Sequence, residues 1–151
     1  MYVSTADALD SSYHATSGTI RRINLHTGAL ASVVANDSAG YYWSGGITVD
    51  GHFLVPDDSG RITSYSSDLS EQLDSVKTGE ESFRSSLVCD GGYVYAVSTK
   101  GTLYKLSVDA GGKLEVVGSA SFAAYSTSTP AISGGKAFVG GSLSGYEGRC
   151  V

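Results

Sequence analysis

One glycine returns along this chain, and its surroundings return with it. Gly18-Thr19-Ile20, Gly60-Arg61-Ile62, Gly101-Thr102-Leu103 and Gly148-Arg149-Cys150 follow one another at spacings of 42, 41 and 47 residues. Each places an apolar residue two positions after the glycine, which is the alternation of a strand. A second motif precedes it: Asp50-Gly51-His52-Phe53, Asp90-Gly91-Gly92-Tyr93 and Ser133-Gly134-Gly135-Lys136, each a turn followed by a strand-forming run. A repeat of about 40 residues holding four short strands is the length of a propeller blade. Helical repeats are excluded, because glycine interrupts every segment and no window keeps a 3.6-residue period.

The clearest unit is Ser85 to Glu115. Strands are predicted over Leu87 to Cys89, Tyr93 to Ser98 and Thr102 to Val108. Asp90-Gly91-Gly92, Lys100-Gly101 and Ala110-Gly111-Gly112 form the breaks, where glycine supplies the positive φ that hairpins need. First strands recur at Ile47/Val49, Leu87/Cys89 and Ile132, and fourth strands at Ala29 to Ala35, Gln72 to Val76 and Leu114 to Ser119. The expected fold is all-β, with β-propeller blades of four antiparallel strands over roughly 1–45, 46–85, 86–129 and 130–151. A β-sandwich is the alternative, but it does not require one strand-turn-strand pattern four times over.

Three strings carry a family resemblance: SSLVCDGGYVYAVSTKGTLYKL, STPAISGGKAFVGGS and GTIRRINLHTGAL. Each resembles the repeat of pyrroloquinoline-quinone-like propellers, the quinoprotein dehydrogenase-like superfamily. The resemblance implies rings of six to eight blades and a superfamily of enzymes, assembly scaffolds and surface proteins. In its enzymes it implies a quinone held between a Trp and an adjacent-cysteine disulfide, with calcium and a catalytic Asp. This chain has two cysteines, Cys89 and Cys150, which are not adjacent, and its one tryptophan, Trp43, falls in a loop. A non-catalytic member is therefore expected, with no cofactor.

Tyr2-Val3 aligns with Val94-Tyr95 in a second strand, and Gly148 to Val151 with the start of a third. About three blade lengths are thus expected, cut mid-blade at both ends. Either further blades of a longer chain or other copies, in a homo-oligomer, would close the ring.

Composition narrows the partners. The net charge of −5 argues against nucleic acid, which demands clustered Lys and Arg. No apolar run reaches membrane-spanning length, and the first residues carry no signal-peptide pattern. The cysteines have neither metal-knuckle nor redox spacing and read as small core hydrophobes. A Ser/Thr/Tyr/Gly-rich, Lys-poor surface suggests an extracellular or cell-envelope setting.

In a propeller, the loop into the first strand and the loop between second and third strands share one face. The first kind carries Tyr41, Tyr42, Trp43, Phe83, Arg84 and Tyr125. The second kind includes a long insertion, Thr5 to Ser17, with Tyr13 and His14, and a later loop with Tyr146. These nine are the candidate binding residues, since aromatics anchor interfaces. Trp43 and Phe83 each stand seven before the turn aspartate, so both are also readable as wedges between blades. No catalytic or metal residues are assigned. His14, His26 and His52 fall in unlike places, no GxSxG elbow exists, and Asp57-Asp58-Ser59-Gly60 reads as a turn rather than a calcium loop. The expected function is a propeller scaffold or binding module for a protein or small extracellular ligand. The alternative is part of a larger quinoprotein-like enzyme whose site lies in other blades.

Overall fold

A computed structural model describes residues 1–79, 81–144 and 148–150. It is all-β, and every pairing is antiparallel between strands adjacent in sequence. β1 (Tyr2–Leu9), β2 (Ala15–Ile23) and β3 (Leu30–Asn36) form the first sheet. β4 (Ile47–Val49), β5 (His52–Pro56), β6 (Arg61–Ser66) and β7 (Gln72–Lys77) form the second. β8 (Val88–Asp90), β9 (Tyr93–Val97), β10 (Thr102–Val108) and β11 (Leu114–Ser121) form the third. Two hairpins follow, β12 (Ala131–Ser133) with β13 (Lys136–Phe138) and β14 (Gly140–Ser142) with β15 (Gly148–Cys150).

The core lies between sheets, not within one. Side chains alternate across a strand, so β5 sends Phe53 and Val55 towards the first sheet and Leu54 towards the third. That explains why Phe53, Leu54 and Val55 are all buried and read as an unbroken apolar run. Ile20, Tyr41, Phe53, Val55, Tyr65 and Leu69 pack the first interface, where Tyr2 stacks on Phe53 at 4.1 Å. Leu54, Ile62, Phe83, Leu87, Tyr104, Leu106 and Leu114 pack the second. Polar ties cross it as well: the Leu114 amide donates to Asp74 Oδ2 at 2.7 Å, and His52 Nε2 lies 3.2 Å from the Ala110 carbonyl.

Two expectations are corrected. Most of the insertion Thr5 to Ser17 is strand. β1 and β2 continue as a bulged ladder to Leu9 opposite Ala15, leaving a turn at Asp10 to His14. Cys89 is exposed rather than a core hydrophobe. The first hairpin of each four-stranded sheet turns on two residues with positive φ, Asp50-Gly51 (47°, 83°) and Gly91-Gly92 (57°, 78°). Asp50 therefore matches Gly91, not Asp90, and Cys89 matches the exposed Thr48. The Cys150 side chain lies outside the described residues.

Short turns are stitched by carboxylates. The Ser66 and Ser70 hydroxyls hold the Asp68 carboxyl down to about 2, and Thr19 lowers that of Asp7. Backbone amides do the same for Asp10 and Asp109. A depressed carboxyl contributes stability that is complete above its unfolded value, near 3.8, and is lost as pH falls through the folded value. The melting temperature should accordingly fall between about pH 4 and pH 2. Asp68→Asn should flatten part of that fall in a pH series of thermal melts.

Candidate functional site: an aromatic loop face clamped by Arg84

The turn between β5 and β6 buries two aspartates, and each is accounted for differently. Asp57 Oδ1 accepts from the Ser59 amide at 2.9 Å, the Ser59 hydroxyl at 2.8 Å and the Arg61 amide at 3.1 Å, closing the turn. The Asp58 carboxylate points away from its own turn. It accepts from the Ala15 amide at 2.7 Å and from Arg84 twice, Nε to Oδ1 at 3.0 Å and Nη2 to Oδ2 at 3.3 Å. Its side chain is fully buried, while that of Arg84 keeps 13% exposure. Arg84 Nη2 also donates to the Tyr13 carbonyl at 2.6 Å, and the guanidinium lies 5.0 Å from the Tyr42 ring centre. The Asp58 hydrogen bonds raise the Arg84 pKa further above its ordinary value. One cation thus fastens the β1–β2 turn, the β3–β4 loop and the β5–β6 turn together.

Aromatic rings surround the clamp. Tyr13 and Trp43 are 67% and 65% exposed, and Trp43 stacks on Tyr42 with centroids 4.5 Å apart. Both exposed rings sit on left-handed backbone, φ 60° at Tyr13 and 59° at Trp43. Bulky residues rarely adopt that conformation, and such strain clusters at functional sites. Tyr125 is half exposed and close enough to act electrostatically on Arg84. His14 is exposed, and its amide donates to Asp10 Oδ1 at 2.9 Å.

Of the nine candidates, the structure gathers Tyr13, His14, Tyr42, Trp43, Arg84 and Tyr125 around one set of loops. Tyr41 and Phe83 are core residues, 4% and 0% exposed, and offer a ligand no surface. Tyr146 lies outside the described residues. Sequence reasoning missed Asp58 because it read the pair as no more than a turn between two strands. It also missed Ser44, Ser85 and Ser126, buried residues at successive spacings of 41. Their hydroxyls donate to the carbonyls of Pro56 at 3.0 Å, Val97 at 2.9 Å and Gly140 at 2.6 Å, pinning each loop to its sheet. The even spacing was the available signal.

Removing either member of the clamp leaves a buried charge unpaired. Arg84→Ala and Asp58→Ala should each cost about 3 kcal/mol in denaturant unfolding, the lower end for buried pairs because the guanidinium keeps some water. The double variant should lose much less than the sum of the two.

The repeated sheets, the inter-sheet core and the loops converging on one side define β-propeller blades of antiparallel strands. Among solved structures the chain is similar to BamB from Moraxella catarrhalis, with a TM-score of 0.63 and 13% identity over 93% of this chain and 44% of that one. It is similar to the computationally designed Ika8 protein, with a TM-score of 0.64 and 13% identity over 91% of this chain and 42% of that one. A europium-containing methanol dehydrogenase gives a TM-score of 0.57 and 14% identity over 83% of this chain and 23% of that one. The chain therefore spans less than half the length of these three proteins. No protein-family model and no curated protein matches the sequence.

Proposed function

We propose that this chain is a non-catalytic propeller module that binds a protein partner through its aromatic loop face. The observation that carries this reading is the pair of exposed rings, Tyr13 and Trp43, held on left-handed backbone on either side of a buried Arg84–Asp58 clamp. Rigid aromatics over a fixed base suit a partner surface, because little side-chain freedom is lost on binding. An extracellular or envelope setting fits the Lys-poor surface. Closure of the ring by further blades or by other copies would extend the same face.

The test is affinity capture from the source's secreted and envelope fractions. The native chain is compared with a Tyr13→Ala/Trp43→Ala variant that melts at the same temperature. A defined partner retained by the native chain and lost by the variant supports the reading, and identical captured sets refute it. The competing enzyme reading predicts instead a rise in melting temperature on adding pyrroloquinoline quinone with calcium.

A further inference from the structure

A cleft of about 520 Å³ opens between the first and second sheets, separate from the aromatic loops. Its walls are polar: Asn36 from the end of β3, Asp57 and Arg61 from the β5–β6 turn, Thr63 and Tyr65 from β6, and Gln72 from β7. The matching cleft between the second and third sheets is plugged. Tyr104 fills it, 8% exposed, with its ring edge-on to Phe83 and its hydroxyl donating to Glu81 Oε1 at 2.9 Å. The third strands open at Gly60 and Gly101, so Thr63 stands where Tyr104 stands, and Tyr65 where Leu106 stands. Across the ladder, Gln72 opposite Tyr65 replaces Val116 opposite Leu106. One repeat closes its interface with apolar bulk, and the other leaves an opening lined with hydrogen-bonding groups.

Those groups are incompletely used. Asp57 is 3% exposed, and its Oδ1 takes three donors, yet Oδ2 has no partner among the described residues. The Thr63 and Ser75 hydroxyls, 3.2 Å apart, face each other across the sheet, and Asn36 Nδ2 reaches the Tyr41 hydroxyl at only 3.4 Å. Burial raises the pKa of both Tyr41 and Tyr65, so their phenols stay neutral and keep their hydrogen-bonding protons. Asp57 Oδ2 is open to the cleft, and a carboxylate oxygen with no protein donor is free to accept from a ligand hydroxyl.

We propose that this cleft binds a neutral saccharide of one or two hexose units. The volume lies within the ~300–1,000 Å³ of small-molecule sites. Vicinal hydroxyls can donate to Asp57 and accept from Asn36, Arg61 and Gln72, which is a mixed set that neither an apolar ligand nor a simple ion would satisfy. Asp37 and Asp57 outnumber Arg61 among the lining charges, so an anionic sugar is disfavoured.

Two-dimensional ¹H–¹⁵N spectra of the full chain, titrated with D-glucose, D-galactose, D-mannose, N-acetyl-D-glucosamine and maltose, test this. D-glucuronate and D-glucose 6-phosphate serve as charged counterparts. At least one neutral sugar should bind saturably, with Kd of about 1 mM or tighter. Its shifts should map to residues 34–38, 57–65 and 72–75. Thr63→Tyr, which installs the plug of the neighbouring interface, should abolish the shifts and keep the melting temperature. Should that variant fail to fold, Gln72→Ala, an exposed change, should still weaken binding about tenfold. The proposal is overturned if no neutral sugar shifts these residues, if binding survives in both variants, or if the anionic sugars bind as tightly. None of these outcomes depends on the loop face.

Discussion

Gly101→Val is expected to lower stability by about 4 kcal/mol, while Lys100→Ala beside it changes stability by less than about 0.5 kcal/mol. Gly101 has φ 65°, which a β-branched residue adopts only under strain of about 1–3 kcal/mol. A Cβ there would also stand 2.5 Å from the Ala123 carbonyl oxygen and 2.7 Å from its carbonyl carbon. These are backbone atoms and cannot rotate away. They belong to the segment leaving β11, where the Phe122 amide donates to the Gly101 carbonyl at 2.9 Å. The glycine is thus a seat for the chain that passes to the next sheet. Gly60 repeats the arrangement, with φ 84° and a Cβ that would lie 2.5 Å from the Glu81 carbonyl oxygen. Lys100 is exposed, and among the described residues its side chain makes no hydrogen bond in the turn. Urea unfolding of both variants against the native chain measures the difference, and equal midpoints would sink the seat argument.

This seat is why the repeat was legible. Close backbone approach at Gly18, Gly60 and Gly101, joined at the last two by positive φ, admits almost no residue but glycine, so their spacing stands out where side chains differ. Strand positions were legible for a related reason, since each is bounded by a turn whose φ values only a few residues accept. What counting could not settle was register. Asp50 fills the first positive-φ slot of its hairpin, a slot that Gly91 fills in the next sheet, so matching aspartate to aspartate slipped the alignment by one. That slip put Cys89 on the wrong face. The candidate site was less legible. Aromatic residues on adjacent loops could be gathered from topology alone, but the Arg84–Asp58 clamp joins residues 26 apart whose facing depends on how one sheet packs on the next. The polar cleft was invisible for the same reason, because it exists only by contrast between Thr63 and Tyr104.

The same lesson separates the two aromatics that counting back from the turn aspartate made equivalent. Phe83→Ala should cost about 3–5 kcal/mol, and Trp43→Ala less than about 0.5 kcal/mol. Phe83 is fully buried among Leu54, Ile62, Leu87 and Tyr104, with the Tyr104 ring edge-on at 6.0 Å. Removing it opens a void at the centre of the second interface, and neighbours held in two different sheets cannot collapse into it together. The counterpart of Phe83 one interface earlier is Tyr41: the Ser82 and Gly40 carbonyls accept from the equivalent amides of Thr99 and Asp58, and the next residue enters the core in each case. From Tyr41 to the buried Ser44 the loop has one residue more than from Phe83 to Ser85, and Trp43 is the residue turned outwards. Trp43 therefore stacks on Tyr42 in water instead of wedging sheets apart. Thermal and urea unfolding should rank the variants Phe83→Ala far below Trp43→Ala, with Trp43→Ala near the native chain. Comparable losses would mean that Trp43 is part of the core, and the loop face would then lose its principal exposed ring.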